Sequence, residues 1–422
     1  MRTRQLRMPY RRNRRMKLVV LFDNLGPYHI ARLAALGTHC DLLAVEQHAS
    51  SAEYDWRPSA QVPFRRVTLF ENAGVPTGSA SELAPRSLSE VLSGFGPDVI
   101  AVPGWAGEQA ISAVTWALRR RVPLIVMSES QEIDFPRTIF REWIKRCYLV
   151  WCDGALVGGR PQSDYLVKLG MNATRIRVGY DVVDNEYFDS GADRARANAA
   201  ALRQQHGLPE RYFLTSARFI EKKNLPRLIY AFADFLSVMD KQAQASGLWH
   251  LVVLGDGALR GELEQRVAAL ELGTRVLIPG FKQYPELPLY YGLAQAFILA
   301  STTEQWGLVV NEAMASGLPV LVSECCGCAR DLVQPGVNGY TFDPRDVSAL
   351  TGLMVQLAEN EDRRQAMGEA SANLIDAWSP DVFAANLIEL AEMVKHSPRP
   401  KAGRVDRLLL RVMLSLRWWA TR

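Results

Sequence analysis

Short, almost wholly apolar runs recur along the chain. Between them lie stretches in which apolar residues return every three or four positions. The runs fall at residues 18–22, 42–45, 66–70, 99–102, 124–127 and 155–157, then at 212–216, 251–254, 275–278, 296–299 and 320–322. Each is mostly apolar on both alternating positions, which predicts parallel strands buried on both faces. Helical periodicity appears between them, at residues 31–36, 108–120, 225–235 and 262–270. Strand and helix in alternation predict doubly wound α/β sheets.

The runs form two sets. Between them, residues 190–205 are small, polar and alanine-rich, and Gly207-Leu208-Pro209 precedes the next run. This predicts two Rossmann-like domains with a seam near residues 188–208, and a ligand in the cleft at the carboxyl ends of both sheets. The body is expected to end near Trp378, where the helical pattern breaks; residues 381–394 then read as an amphipathic helix.

A length of 422 residues, with 48% hydrophobic and 22% charged, fits two to three ordinary domains and excludes disordered or collagen-like chains. The net charge of +4 conceals a strong polarity. Residues 1–17 hold eight basic residues and no acid, residues 395–422 hold eight and one acid, and the body between them carries −11. On a helical wheel Arg404, Arg407, Arg411, Ser415 and Arg422 share one face, and Leu408, Leu409, Val412, Met413, Leu416 and Trp419 fill the rest. That pattern suits either an interfacial helix on anionic lipid or a helix docked on the protein itself. No nucleic-acid motif accompanies the basic runs. No apolar run approaches the ~20 residues of a membrane span, and the arginine-rich start is not backed by the apolar stretch of a secretory signal. The six cysteines lack paired CxxC units, and Cys325-Cys326-Gly327-Cys328 reads more easily as a loop than as a metal cage. A reducing, cytoplasmic setting is expected.

Three segments carry candidate chemistry, each at the end of an apolar run. In STTEQWGLVVNEAMASGLPV, residues 301–320, Gly307 leads into a helix opened by Leu308, where backbone amides favour a phosphate. Glu304 precedes that helix and Glu312 lies on its second turn, so the two acids reach different parts of an elongated ligand. Carboxylates pair well with the vicinal hydroxyls of sugars and ribose. In SARFIEKKN, residues 216–224, Arg218 and Lys223 share a loop and suit a diphosphate leaving group. Gly255-Asp256-Gly257 is a tight turn.

Together these segments resemble retaining glycosyltransferases of the GT-B fold, glycosyltransferase family 4 (glycosyl transferases group 1). The resemblance is best over residues 150–395. It implies that Arg218 and Lys223 hold and neutralise a departing nucleoside diphosphate, that Glu304 binds the donor sugar, and that Glu312 binds the ribose. It further implies that backbone at Gly307 and Leu308 meets the diphosphate or sugar, and that backbone around Phe281 and Lys282 meets the base. Attack is expected on the face the diphosphate leaves, with retention and without a metal or other cofactor; no Asp-x-Asp triplet occurs. A last helix, residues 379–395, is expected to cross back onto an N-terminal domain of residues 18–190, leaving 191–378 as the donor domain and 1–17 and 396–422 as basic tails.

The N-terminal half departs from the family pattern. A Gly-Gly loop is replaced by residues 23–29, in which Gly26 either gives close backbone approach to donor phosphates or is a plain turn glycine. A usual histidine is replaced near Ser128-Glu129-Ser130. Glu129 is then an acceptor-side substitute or a structural carboxylate. His29 reads as a helix cap, a surface residue or an acceptor-side group. Trp105 either stacks on an acceptor sugar or packs in the core. Residues 132–137 follow as a candidate acceptor loop. The expected activity is sugar transfer from a nucleotide sugar to a hydroxyl acceptor, lipid-linked or otherwise a cell-envelope precursor, at an anionic membrane surface reached through the basic tails. The alternatives are a small soluble acceptor, a sugar-nucleotide epimerase, or an inactive nucleotide-sugar-binding partner.

Overall fold

A computed structural model describes residues 15–49, 61–70, 87–105, 107–241 and 248–397, with residues 403, 408, 409 and 412. The two basic tails lie almost wholly outside the described residues.

The first sheet contains β1 (Lys17–Phe22), β2 (Asp41–His48), β3 (Arg65–Phe70), β4 (Val99–Pro103), β5 (Leu124–Ser128), β6 (Gly154–Val157) and β7 (Ile176–Val178). Among the described residues its order is β3-β2-β1-β4-β5-β6-β7. The second contains β8 (Arg211–Ser216), β9 (Trp249–Leu254), β10 (Val276–Gly280), β11 (Ala296–Leu299), β12 (Val320–Ser323) and β13 (Gly339–Phe342). Its order is β10-β9-β8-β11-β12-β13. The pairings are parallel, with Val19 opposite both Leu43 and Ile100, and Phe297 opposite both Val320 and Leu214. The central strands are buried on both faces, which is why their sequences are apolar at successive positions. The fold is GT-B: two open, doubly wound α/β sheets.

Strand order reverses between β1 and β4 in one sheet and between β8 and β11 in the other. Ligands of such sheets bind where the order reverses, beyond the carboxyl ends of the strands. The loops after β1, β8 and β11 are those that carry Gly26, Arg218 with Lys223, and Glu304.

The helices that shape this region are α1 (Pro27–His39), α2 (Ile139–Leu149), α3 (Asn185–Ala197), α4 (Ala199–His206), α5 (Leu287–Leu293), α6 (Leu308–Ala315) and α7 (Pro380–Lys395). The core changes hands abruptly: Val182 packs with the first sheet and Val183 with the second. This precedes the seam expected at 188–208, whose residues instead form α3 and α4. Their alanine-rich composition looks like linker but is good helix material, and Asp184 caps α3 by accepting from the Tyr187 amide at 3.1 Å. Helix α3 packs on α5.

Helix α7 returns to the first sheet. Its start is set by Pro380 and by the Ser379 hydroxyl, which accepts from the Val382 amide. Phe383, Leu387, Leu390 and Val394 then join Leu18, Val20, Leu33 and Leu36 in one core. The chain thus crosses between halves twice, and Asn185 links the crossings by donating to the carbonyls of Ile375 (3.0 Å) and Trp378 (3.4 Å).

Candidate active site

The loop after β8 is fixed to the end of β11. Asn224 adopts a left-handed conformation (φ 57°) and donates to the carbonyls of Ala300 and Pro344 at 3.0 and 2.7 Å. The Thr302 amide donates to the Lys222 carbonyl at 2.8 Å. These bonds place Lys223 against Glu304, with which it forms an ion pair; Lys222 stands 3.8 Å from the same carboxylate. Arg218 lies earlier on this loop, partly buried.

The backbone of Glu304 is equally restrained. Its carbonyl accepts from the Gly327 amide at 2.9 Å and its amide donates to Cys325 at 3.3 Å. Here the three-cysteine run finds its place. It is a loop packed under the Glu304 segment, with Cys326 and Cys328 buried and their thiols pushed up by desolvation. Among the described residues no group of three or more metal-type side chains converges.

Gly307 caps α6 at φ 108°, a conformation that disfavours any side chain. A Cβ there would also stand 2.9 Å from Leu299. The glycine therefore brings the first amides of α6, from Leu308 on, beside Glu304.

One turn further, Glu312 is completely buried. Its carboxylate accepts from the Tyr28 hydroxyl and, at 2.5 Å, from the Tyr291 hydroxyl. Tyr28 comes from the first turn of α1, in the other half, so this contact spans the cleft. Burial pushes Glu312 up to about 7, although the two phenols favour its charged form. The pH dependence has a definite sign. A carboxyl raised from 4.5 to about 7 on folding stabilises the folded chain fully below pH 4.5. That contribution fades as pH rises through 7 and levels beyond it. The stability difference between wild type and Glu312→Gln, followed by urea unfolding, is expected to fall by up to about 3 kcal/mol across this window. A pH-independent difference would show that Glu312 does not titrate there.

The N-terminal half also meets this site through two side-chain amides. Gln131 donates to the Glu304 carbonyl at 2.7 Å, and Gln162 to the Gln305 carbonyl at 2.5 Å. Glu129, at the end of β5, is pushed up by desolvation despite Arg32, and Glu304 and Asp134 add to the rise. Buried Asp181 lies close by and is raised well above the ordinary carboxylate range by desolvation, with the Glu129 charge adding to the rise; Arg32 stands 3.7 Å from it. Glu129 therefore stands within electrostatic reach of Glu304, although it comes from the other half.

The structure also places the residues that the sequence left open. Trp105 is not available to an acceptor sugar: only 7% exposed, it packs in the first core, with the Lys145 ammonium 5.4 Å from its ring centre. Its place directly after a strand left both readings open, and packing prevails. His29 caps α1 by accepting from the Gly26 amide at 3.1 Å. Its ring lies 4.3 Å from Phe22, and desolvation lowers its pKa to about 3, so it is neutral. Gly26 itself has extended backbone (φ −84°), open to other residues. Lys282 stands 3.9 Å from Glu286 and 5.5 Å from the Tyr290 ring centre, with Phe281 beside it on the surface. Tyr28, Tyr291, Gln131, Gln162 and Asp181 were missed, because nothing local in the sequence connects them to Glu304 or Glu312.

This arrangement has the architecture of the GT-B class. The family models agree on both sides of the seam. Residues 198–374 match glycosyl transferases group 1, and residues 29–180 match the glycosyl transferase 4-like domain. The chain belongs to the glycosyl transferases of group 1. It is 28% identical to the sulfoquinovosyl transferase SQD2 of Arabidopsis thaliana over 68% of this chain and 55% of that protein. It is 33% identical to the alpha-monoglucosyldiacylglycerol synthase of Streptococcus pneumoniae over 38% of this chain and 34% of that protein. The matched region spans 55% to 66% of the first curated relatives it resembles. Among solved structures, Alr3699/HepE of Anabaena, in complex with UDP and glucose, superposes with a TM-score of 0.67. That match covers 90% of this chain and all of that one at 19% identity, a likeness of fold.

Proposed function

We propose that the chain moves a sugar from a nucleoside diphosphate sugar to a hydroxyl of a lipid-linked glycan or other envelope precursor, with retention and without a metal. The observation that carries this reading is the Lys223–Glu304 ion pair at the point where the second sheet reverses, with Arg218 on the same loop. Arg218 and Lys223 stabilise charge as the bond between the anomeric carbon and the diphosphate oxygen breaks. Glu304 binds hydroxyls of the transferred sugar. The acceptor oxygen bonds to the anomeric carbon on the same face, and its proton passes to the departing phosphate oxygen. Glu312 receives the ribose diol, which takes over from the Tyr28 hydroxyl. Gly307 and Leu308 present backbone to the diphosphate, and the backbone at Phe281 and Lys282 borders the base. The lipid-linked acceptor is supported by the diacylglycerol in the name of the pneumococcal relative, and a membrane-linked acceptor places the work at the inner face of the cytoplasmic membrane.

A screen of nucleotide sugars by thermal shift should find one donor class that raises the unfolding temperature by mass action. Product formed with that donor is expected to keep the donor's anomeric configuration by NMR, and turnover is expected to survive excess EDTA. An inverted product would overturn the mechanism, and EDTA-sensitive turnover would overturn its metal independence.

A further inference from the structure

Helix α2 is apolar on both sides. Its inward face, Ile144, Tyr148 and Leu149, is buried in the first core. Its outward face is also apolar: Ile139 is 92% exposed, and Phe140 and Trp143 are exposed with stacked rings 6.2 Å apart. Ile133 and Phe135, on the loop that leads into the helix, extend the patch. A surface helix ordinarily turns a polar face to water, and clustered exposed apolar side chains mark an interaction site.

The borders of the patch identify the partner's chemistry. Arg146 lies on the outward stripe and donates to the Lys168 carbonyl at 3.3 Å, which sets a second basic residue at this border. The exposed acid beside them, Glu132, is ion-paired with Lys168. Apolar side chains flanked by cations suit an anionic lipid surface. The position is equally specific. The same loop holds Gln131, which is bonded to the Glu304 carbonyl, so the patch lies at the rim of the cleft. Among the described residues no helix is long and apolar enough to cross a membrane.

We infer that the start of α2 and its preceding loop form a docking surface for an anionic bilayer. It inserts Ile133, Phe135, Ile139, Phe140 and Trp143 so that the acceptor side of the cleft opens onto the lipid surface. This deepens the lipid-acceptor reading above and rests on it for the direction of acceptor entry.

The test compares full-length wild type with the triple variant Ile139→Ser, Phe140→Ser, Trp143→Ser. All three positions are exposed, so an unchanged unfolding temperature and donor response are expected and are checked first. Both proteins are sedimented with vesicles of phosphatidylcholine, alone or with one third phosphatidylglycerol. Wild type is expected to partition onto the anionic vesicles, and the variant about tenfold less or weaker still, because adsorption scales with buried apolar area. With acceptor lipid in vesicles the variant's turnover should fall in step, while turnover of the same lipid dispersed in detergent stays at wild-type level. Equal partitioning of both proteins would assign the membrane to the basic tails and overturn the inference. So would a wild-type dimer that the variant converts to monomer with no change on vesicles. If no lipid acceptor is used in detergent, the acceptor reading fails, and the vesicle result stands or falls separately.

Discussion

Replacing Lys223 with alanine is expected to lower turnover roughly a hundredfold to a thousandfold, the usual cost of removing one charge-stabilising group from a transition state. Arg218→Ala is expected to do the same. The effect should appear in kcat more than in donor affinity, because the cations act on charge that builds as the diphosphate leaves. Fold stability should change little in either variant. Lys223 lies at the partly exposed cleft, and its loop is held by the bonds of Asn224 and Thr302, which the substitution leaves intact. Lys222 remains 3.8 Å from Glu304, so the carboxylate keeps a counter-charge. Turnover within a few-fold of wild type in both variants, at matched unfolding temperature, would remove these residues from the reaction.

Gly255→Ala is expected to produce the opposite signature, a large loss of stability. Gly255 ends β9 at φ 123°, where a Cβ would stand 1.9 Å from the carbonyl oxygen of Ala217. That oxygen belongs to the backbone directly before Arg218. The Ala217 amide in turn donates to Leu254 at 3.0 Å, and the Gly255 amide to Gly280 at 3.1 Å. The ends of β8, β9 and β10 are thus fastened where no side chain fits. The alanine must displace backbone, at a cost of about 3 kcal/mol or more, and the Arg218 loop moves with it. Urea unfolding measures the first effect and donor affinity the second. A wild-type midpoint would mean that these strand ends are not packed this tightly.

Much of the fold was legible because parallel strands buried on both faces leave a continuous apolar trace. The two strands that escaped show the limit of that signal. β7 has only Ile176–Val178 with Arg177 at its centre, and β13 is Gly339–Phe342 behind an Asn-Gly turn; both are too short and too mixed to stand out. The residues gathered around Glu304 and Glu312 stood out for a related reason. Arg218, Lys223, Glu304, Gly307 and Glu312 lie in compact segments next to strand ends, so spacing and position agree. Tyr28 and Glu312 are 284 positions apart, and only the assembled cleft brings them together. Trp105 stayed open for the converse reason: an aromatic residue at a strand end has the same local sequence context whether it faces a substrate or a core.

The double crossing joined by Asn185 has a mechanical meaning. Two chain segments fastened side by side behave as a pivot, whereas a single segment would behave as a tether. Because α7 and α1, whose first turn carries Tyr28, share one core with β1, they move with the first half. Opening of the two halves about that pivot would part Tyr28 from Glu312, so that widening the cleft and baring the carboxylate are a single event.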